Sequence, residues 1–159
     1  MGFADLALAQ VPVGGLPLVG RMDKLAIALG LNGLAVLTVS LFAGLFLWRT
    51  LLRKDDSHGW HLLHAGGSGR GVMLMALAGI IHLVALPEWL MSLAAWAVVY
   101  FVWASTIAMV ITAVTGEHGF GFSGPLVNRF AHLLYVTGAA AVFPGVFVLG
   151  SGLLITLLR

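Results

Sequence analysis

The sequence predicts an all-α integral membrane protein: a bundle of four transmembrane helices with both termini on the non-cytoplasmic side. Three observations carry that prediction. Of 159 residues, 60% are hydrophobic and only 9% charged, against roughly 25% charged in a soluble domain. The apolar residues fall into long runs, and the mean hydropathy is +1.05. The basic residues collect between the runs instead of inside them, as the positive-inside rule requires of a membrane chain.

Residues 1–22 are apolar but broken by Pro12, Gly14, Gly15 and Pro17. They lack the basic start of a signal peptide and read as a retained interfacial segment. A helix needs about 20 residues to cross the hydrocarbon core. The first span lies near Leu25 to Trp48, between Asp23–Lys24 and Arg49, Arg53 and Lys54. The second lies near Gly71 to Leu86 and ends at Pro87, and the third follows near Leu90 to Val114. The fourth runs near Leu126 to Leu158, with Pro144 and Gly145 expected to kink it. All of 1–159 then forms one membrane domain.

Orientation follows from charge. Arg49, Arg53, Lys54 and Arg70 fall between spans one and two, and Arg129 between three and four; Arg21, Lys24 and Arg159 fall on the other side. Both loops are therefore expected in the cytoplasm of, most simply, a bacterial inner membrane. The expected surroundings are the lipid bilayer and either other membrane subunits or further copies of the chain. The net charge of +2 comes from few ionisable groups and does not point to nucleic acid, so no nucleic-acid partner is expected. The absence of cysteine excludes disulfides, thiolate zinc sites, cysteine-ligated iron–sulfur clusters and covalent c-type haem.

The six histidines carry most of the chemistry. The run "HGWHLLHAGGSGRG" over 58–71 places His58, His61 and His64 at i, i+3 and i+6 and then turns to glycine. With His118 from the other cytoplasmic loop and nearby carboxylates, these could ligate a transition metal. The alternative is an amphipathic interfacial turn, its glycines making a tight passage into span two. Arg70, six residues after His64, resembles the membrane anchors of succinate dehydrogenases over these few residues only, and no role is carried over.

His82 is expected about 16 Å into span two, near the midplane, on a face with Ala78, Gly79 and Ala85. An ionisable group there should face protein, as a cofactor ligand, in proton or ion handling, or hydrogen-bonded to Ser40, Ser105 or Thr106. His132 shares a stripe with Asn128, Arg129, Tyr135 and Ala139 at helical spacing, suited to a quinone head group or a haem propionate. His118 and His132 have the spacing of a two-haem cytochrome helix, but the glycines and Pro125 between them exclude one helix. The aromatic stripe Trp96, Tyr100 and Trp103 reads as packing.

With no hydrolase elbow, phosphate loop or paired carboxylates, the sequence favours a redox subunit. In that reading haem b is bound through His82, His132 or His64, with Arg129, Tyr135 and Arg70 around it, and electrons pass to or from quinone. The alternatives are a non-catalytic, cofactor- or pigment-binding subunit of a larger complex, and a small transporter or metal-handling protein with a cytoplasmic histidine cluster.

Overall fold

The computed structural model describes residues 20–116, 121–122 and 124–159. The interfacial segment expected before residue 20 and the candidate ligand His118 lie outside the described residues. Four helices follow in order: α1 (Arg21–Arg53), α2 (His58–Ile80), α3 (Glu88–Thr115) and α4 (Leu126–Leu157), with a 3-10 turn at Ile81–Leu83 after α2. Three of them, Met22–Arg53, Glu88–Thr115 and Leu126–Leu157, are long and apolar enough to cross a membrane, each with a mean hydropathy of 2.1 in its most apolar window. This is an all-helical membrane protein.

The helix ends follow local chemistry. The Asp23 carboxylate accepts the Gly20 amide at 3.1 Å and so caps α1. α1 stops where Lys54 turns left-handed at φ 57°. Gly116, at φ 72°, ends α3 in the conformation that glycine adopts without a Cβ penalty. Pro87 and Pro125 stand directly before α3 and α4, where no helical N–H is needed.

α2 departs from the expected second span. The helix begins at His58 and runs unbroken through the glycines that were expected to form a turn. The reason is the partner helix, for α1 and α2 lie antiparallel with their backbones nearly touching. A Cβ on Gly33 would stand 2.7 Å from the Gly71 carbonyl oxygen, and one on Gly71 would stand 2.8 Å from the Gly33 carbonyl oxygen. One turn on, Gly67 faces the Ser40 side chain, and beyond it Gly44 faces the His64 ring. Glycine is costly in an isolated helix, but here it admits a neighbouring backbone.

α3 is the central helix. Half of its apolar window is buried inside the protein, against 22% for α1 and 17% for α4. Its small residues Ala94, Ala95, Ala104, Ser105 and Ala108 let α2 and α4 approach. Gly138 of α4 packs on Phe101 and Ala104, and Gly145 on Ala94 and Ala97. Pro144 is accommodated within a continuous α4. Exposed Leu34, Phe42 and Leu45 of α1 and Phe143 and Phe147 of α4 give the outer faces their contact with the bilayer.

Buried hydroxyls are satisfied within their own helices. Ser40 donates to the Val36 carbonyl at 2.9 Å, Ser105 to Phe101 at 2.7 Å and Thr106 to Val102 at 2.7 Å. None of the three bonds His82 as expected. Between helices, the Trp103 indole N–H donates to Asn32 Oδ1 at 2.8 Å, joining α3 to α1. The Tyr100 hydroxyl donates to Thr137 Oγ1 at 2.8 Å, joining α3 to α4. The expected packing stripe thus also supplies two polar links.

Candidate functional site

At the end of the molecule where α1 gives way to α2, the helices diverge around a half-open cavity of about 590 Å³. The first turns of α2 contribute His58, Trp60 and Leu62 to its lining, and Arg70 reaches it from further along the same helix. α3 contributes Met109, Thr112 and Ala113, and α4 contributes Tyr135. Trp60 is held by stacking on Phe46 of α1, centroids 4.8 Å apart. Gly59 closes the wall: a Cβ there would stand 2.7 Å from the Ala113 Cα.

Arg70 is the chemical centre of this cavity. Its Nη1 lies 3.0 Å from the Met109 sulfur, and its Cζ lies 5.6 Å from the centroid of the Phe101 ring. Both are soft, weak partners for a guanidinium. The Tyr135 phenol stands nearby, hydrogen-bonded to the Thr112 hydroxyl. Thr112 itself donates to the Met109 carbonyl at 2.9 Å. Asp56, on the rim, accepts the His58 amide at 2.9 Å.

Of the residues expected to bind a cofactor, the structure brings Arg70 and Tyr135 together and disperses the rest. His82 is not within a span at all. It sits on the 3-10 turn beyond α2, exposed, because the helix ends at Ile80 ahead of Pro87. Arg129 is exposed near the start of α4. His132 is partly buried with its ring edge-on to Phe122, centroids 4.5 Å apart, and its Nδ1 finds no hydrogen-bond partner among the described residues. The stripe read from the sequence thus splits between the cavity and the outer surface.

The three cytoplasmic histidines also separate. His58 lines the cavity, His61 is exposed, and His64 turns toward α1, where its Nδ1 donates to the Ser40 carbonyl at 2.8 Å. Among the described residues no group of three or more His, Asp or Glu side chains stands ready to hold a metal ion. Met109, Thr112 and Phe101 are functional neighbours that sequence reasoning missed. Their one trace was the small and polar residues Ser105, Thr106 and Thr112 on an otherwise apolar helix.

The fold defines a helical membrane protein with a cavity at one end of its bundle, lined by a partly buried arginine. Residues 25–154 match the styrene oxide isomerase family, and the chain belongs to that family. No curated protein sequence matches the chain. The family overturns the redox-subunit expectation. It is named for an isomerase, and the described residues hold no group of three or more side chains ready to ligate a metal. His82 had suggested redox chemistry by its expected membrane depth, but the helix boundaries place it on the 3-10 turn after α2.

Proposed function

We propose that this chain isomerises an aryl epoxide of the styrene oxide type to a carbonyl compound, and that the Arg70 cavity is where it does so. The observation that carries the reading is Arg70 itself: a guanidinium inside an apolar cavity, facing a sulfur and an aromatic ring. The cavity volume lies within the range of roughly 300–1,000 Å³ usual for small-molecule sites.

The chemistry asks for little more. Heterolysis of the benzylic C–O bond places negative charge on oxygen and positive charge on the benzylic carbon. Arg70 donates to the oxygen as its charge grows, and Tyr135 stands on the same side to share that task. A hydride then migrates from the neighbouring carbon to the benzylic carbon as the C=O bond forms. No atom or electron is gained or lost. Trp60, which lines the cavity, offers an aromatic group to a cation that must not meet water.

A further reading concerns a cofactor. The bond from His64 Nδ1 to the Ser40 carbonyl leaves Nε2 with a free lone pair, the arrangement by which a backbone carbonyl orients a metal-ligating histidine. His64 would hold haem b or another metal group there, and such a group would supply Lewis-acid assistance to C–O cleavage. An absorption spectrum of the purified protein and of His64→Ala tests this part separately.

For topology, we propose that all four helices span, with both termini on the non-cytoplasmic side. α2 has 23 residues, about 34 Å of helix at 1.5 Å per residue, and it pairs with α1 along its length. The cavity mouth, lined by Asp56 and His58, then opens to the cytoplasm. A reporter fused after Arg159 that is active in the cytoplasm refutes that sidedness.

The activity test is direct. Protein reconstituted in vesicles is given styrene oxide and the products are resolved by gas chromatography. An aldehyde isomer should appear, and Arg70→Gln should slow its formation about a hundredfold, as expected for loss of an oxyanion donor. No isomer from the wild-type protein, or full activity in the variant, refutes the reading.

A further inference from the structure

The arginine in the cavity has a property that epoxide chemistry alone does not need. It carries a full, permanent charge, and nothing within the described residues balances it. Its close contacts among the described residues are the Met109 sulfur at 3.0 Å and the Phe101 ring, and the titratable group acting on it among them is the Tyr135 phenol. Asp56, also in the cavity lining, is exposed and keeps its charge while accepting the His58 amide, and it forms no ion pair with Arg70. A neutral donor such as asparagine or tyrosine would polarise an epoxide oxygen at a smaller desolvation cost. A partly desolvated charge is stabilised by an anion at its side, and a carboxylate ligand would supply one.

We infer that the Arg70 cavity also binds small aromatic carboxylates, which occupy the site in competition with the neutral epoxide. The carboxylate would take the place of the epoxide oxygen, accepting two parallel N–H bonds from the guanidinium fork. The ring would lie against Trp60, Met109 and Leu62, and the open mouth beside His58 admits an anion from the water phase. Such acids arise when an aryl aldehyde is oxidised, so their binding would restrain isomerisation once oxidised product accumulates. Only that last step rests on the isomerase reading; the binding does not.

Phenylacetate and its neutral analogue 2-phenylethanol are titrated into the detergent-solubilised full chain by calorimetry. Phenylacetate should bind at least about tenfold more tightly. Arg70→Gln should abolish this preference while 2-phenylethanol still binds, which also reports that the variant is folded. Equal affinities for the wild-type protein overturn the inference, as does an unchanged phenylacetate preference in Arg70→Gln. Should that variant not fold, the wild-type comparison alone decides. In parallel, phenylacetate should raise the KM for styrene oxide without lowering kcat. Charge-selective binding by a protein that does not isomerise the epoxide would leave this inference standing and remove the proposed activity. Isomerisation with no charge preference does the reverse.

Discussion

Gly69 and Gly71 stand two residues apart on α2 and allow the packing between α1 and α2 to be measured against an internal control. A Cβ at Gly69 meets nothing within 4 Å. Gly69→Ala should therefore gain the ordinary helix-propensity benefit of roughly 0.5–1 kcal/mol. At Gly71 the added carbon would stand 2.8 Å from the Gly33 carbonyl oxygen, 2.9 Å from the Leu37 amide nitrogen and 3.0 Å from the Leu37 Cβ. Two of these atoms are backbone and cannot rotate away. The helices must separate by several tenths of an ångström, an overpacking cost of about 1–3 kcal/mol. The propensity gain is common to both variants and cancels in their comparison. Gly71→Ala should thus be about 1–3 kcal/mol less stable than Gly69→Ala when both are unfolded by denaturing detergent and followed by tryptophan fluorescence. Because Arg70 precedes Gly71 on the chain, the displaced helix should also reduce the proposed isomerase activity, whereas Gly69→Ala should leave it intact. Equal stabilities would show that α1 and α2 do not meet as closely as described.

Other expectations follow from single contacts. Trp103→Phe removes the donor to Asn32 Oδ1 and should cost about 0.6–1.7 kcal/mol, the range for hydrogen bonds between membrane helices; a double-mutant cycle with Asn32→Leu should show the two changes to be non-additive. Tyr135→Phe keeps the cavity wall and loses the phenol, so kcat should fall with little change in KM if the hydroxyl shares the developing oxyanion; unchanged kcat would remove Tyr135 from the chemistry. His82→Leu, at an exposed site on the 3-10 turn, should alter stability by no more than about 0.5 kcal/mol and leave turnover unchanged; lost activity would restore His82 to the site.

How much of this was legible in the sequence depends on whether a residue's role is set along the chain or across it. The all-helical membrane class follows from composition. α3 and α4 were marked by long apolar runs, and Pro87 and Pro125 stand where helices begin. α2 was only half legible. Its first half is polar and rich in glycine, which read locally as a turn, and its helicity depends on α1 lying against Gly67 and Gly71. One missed boundary then misplaced His82, because a depth counted from Gly71 assumed a span continuing to Leu86. Tyr135 and Arg70 were named for a haem or quinone site and instead meet in the cavity. Met109 and Phe101 were invisible, since nothing in a methionine or phenylalanine on an apolar helix announces that an arginine from another helix will rest on it.

The misreading of α2 and the presence of the site have one cause. On insertion scales an arginine at the centre of a membrane helix costs about 2.5–3.5 kcal/mol. α2 carries Arg70 together with three histidines and several glycines, so it is not among the helices apolar enough to cross on their own. Its place is set by contacts that form only when α1 and α3 are present: the His64 bond to Ser40, the glycine approach to α1 and the seat of Arg70 on Met109 and Phe101. A hydrophobic helix in that position would insert more readily and would offer no donor to the oxygen of the proposed epoxide substrate. The polarity that weakens α2 as a membrane helix is the same polarity that equips the cavity, and α1 and α3 are the elements that make it tolerable.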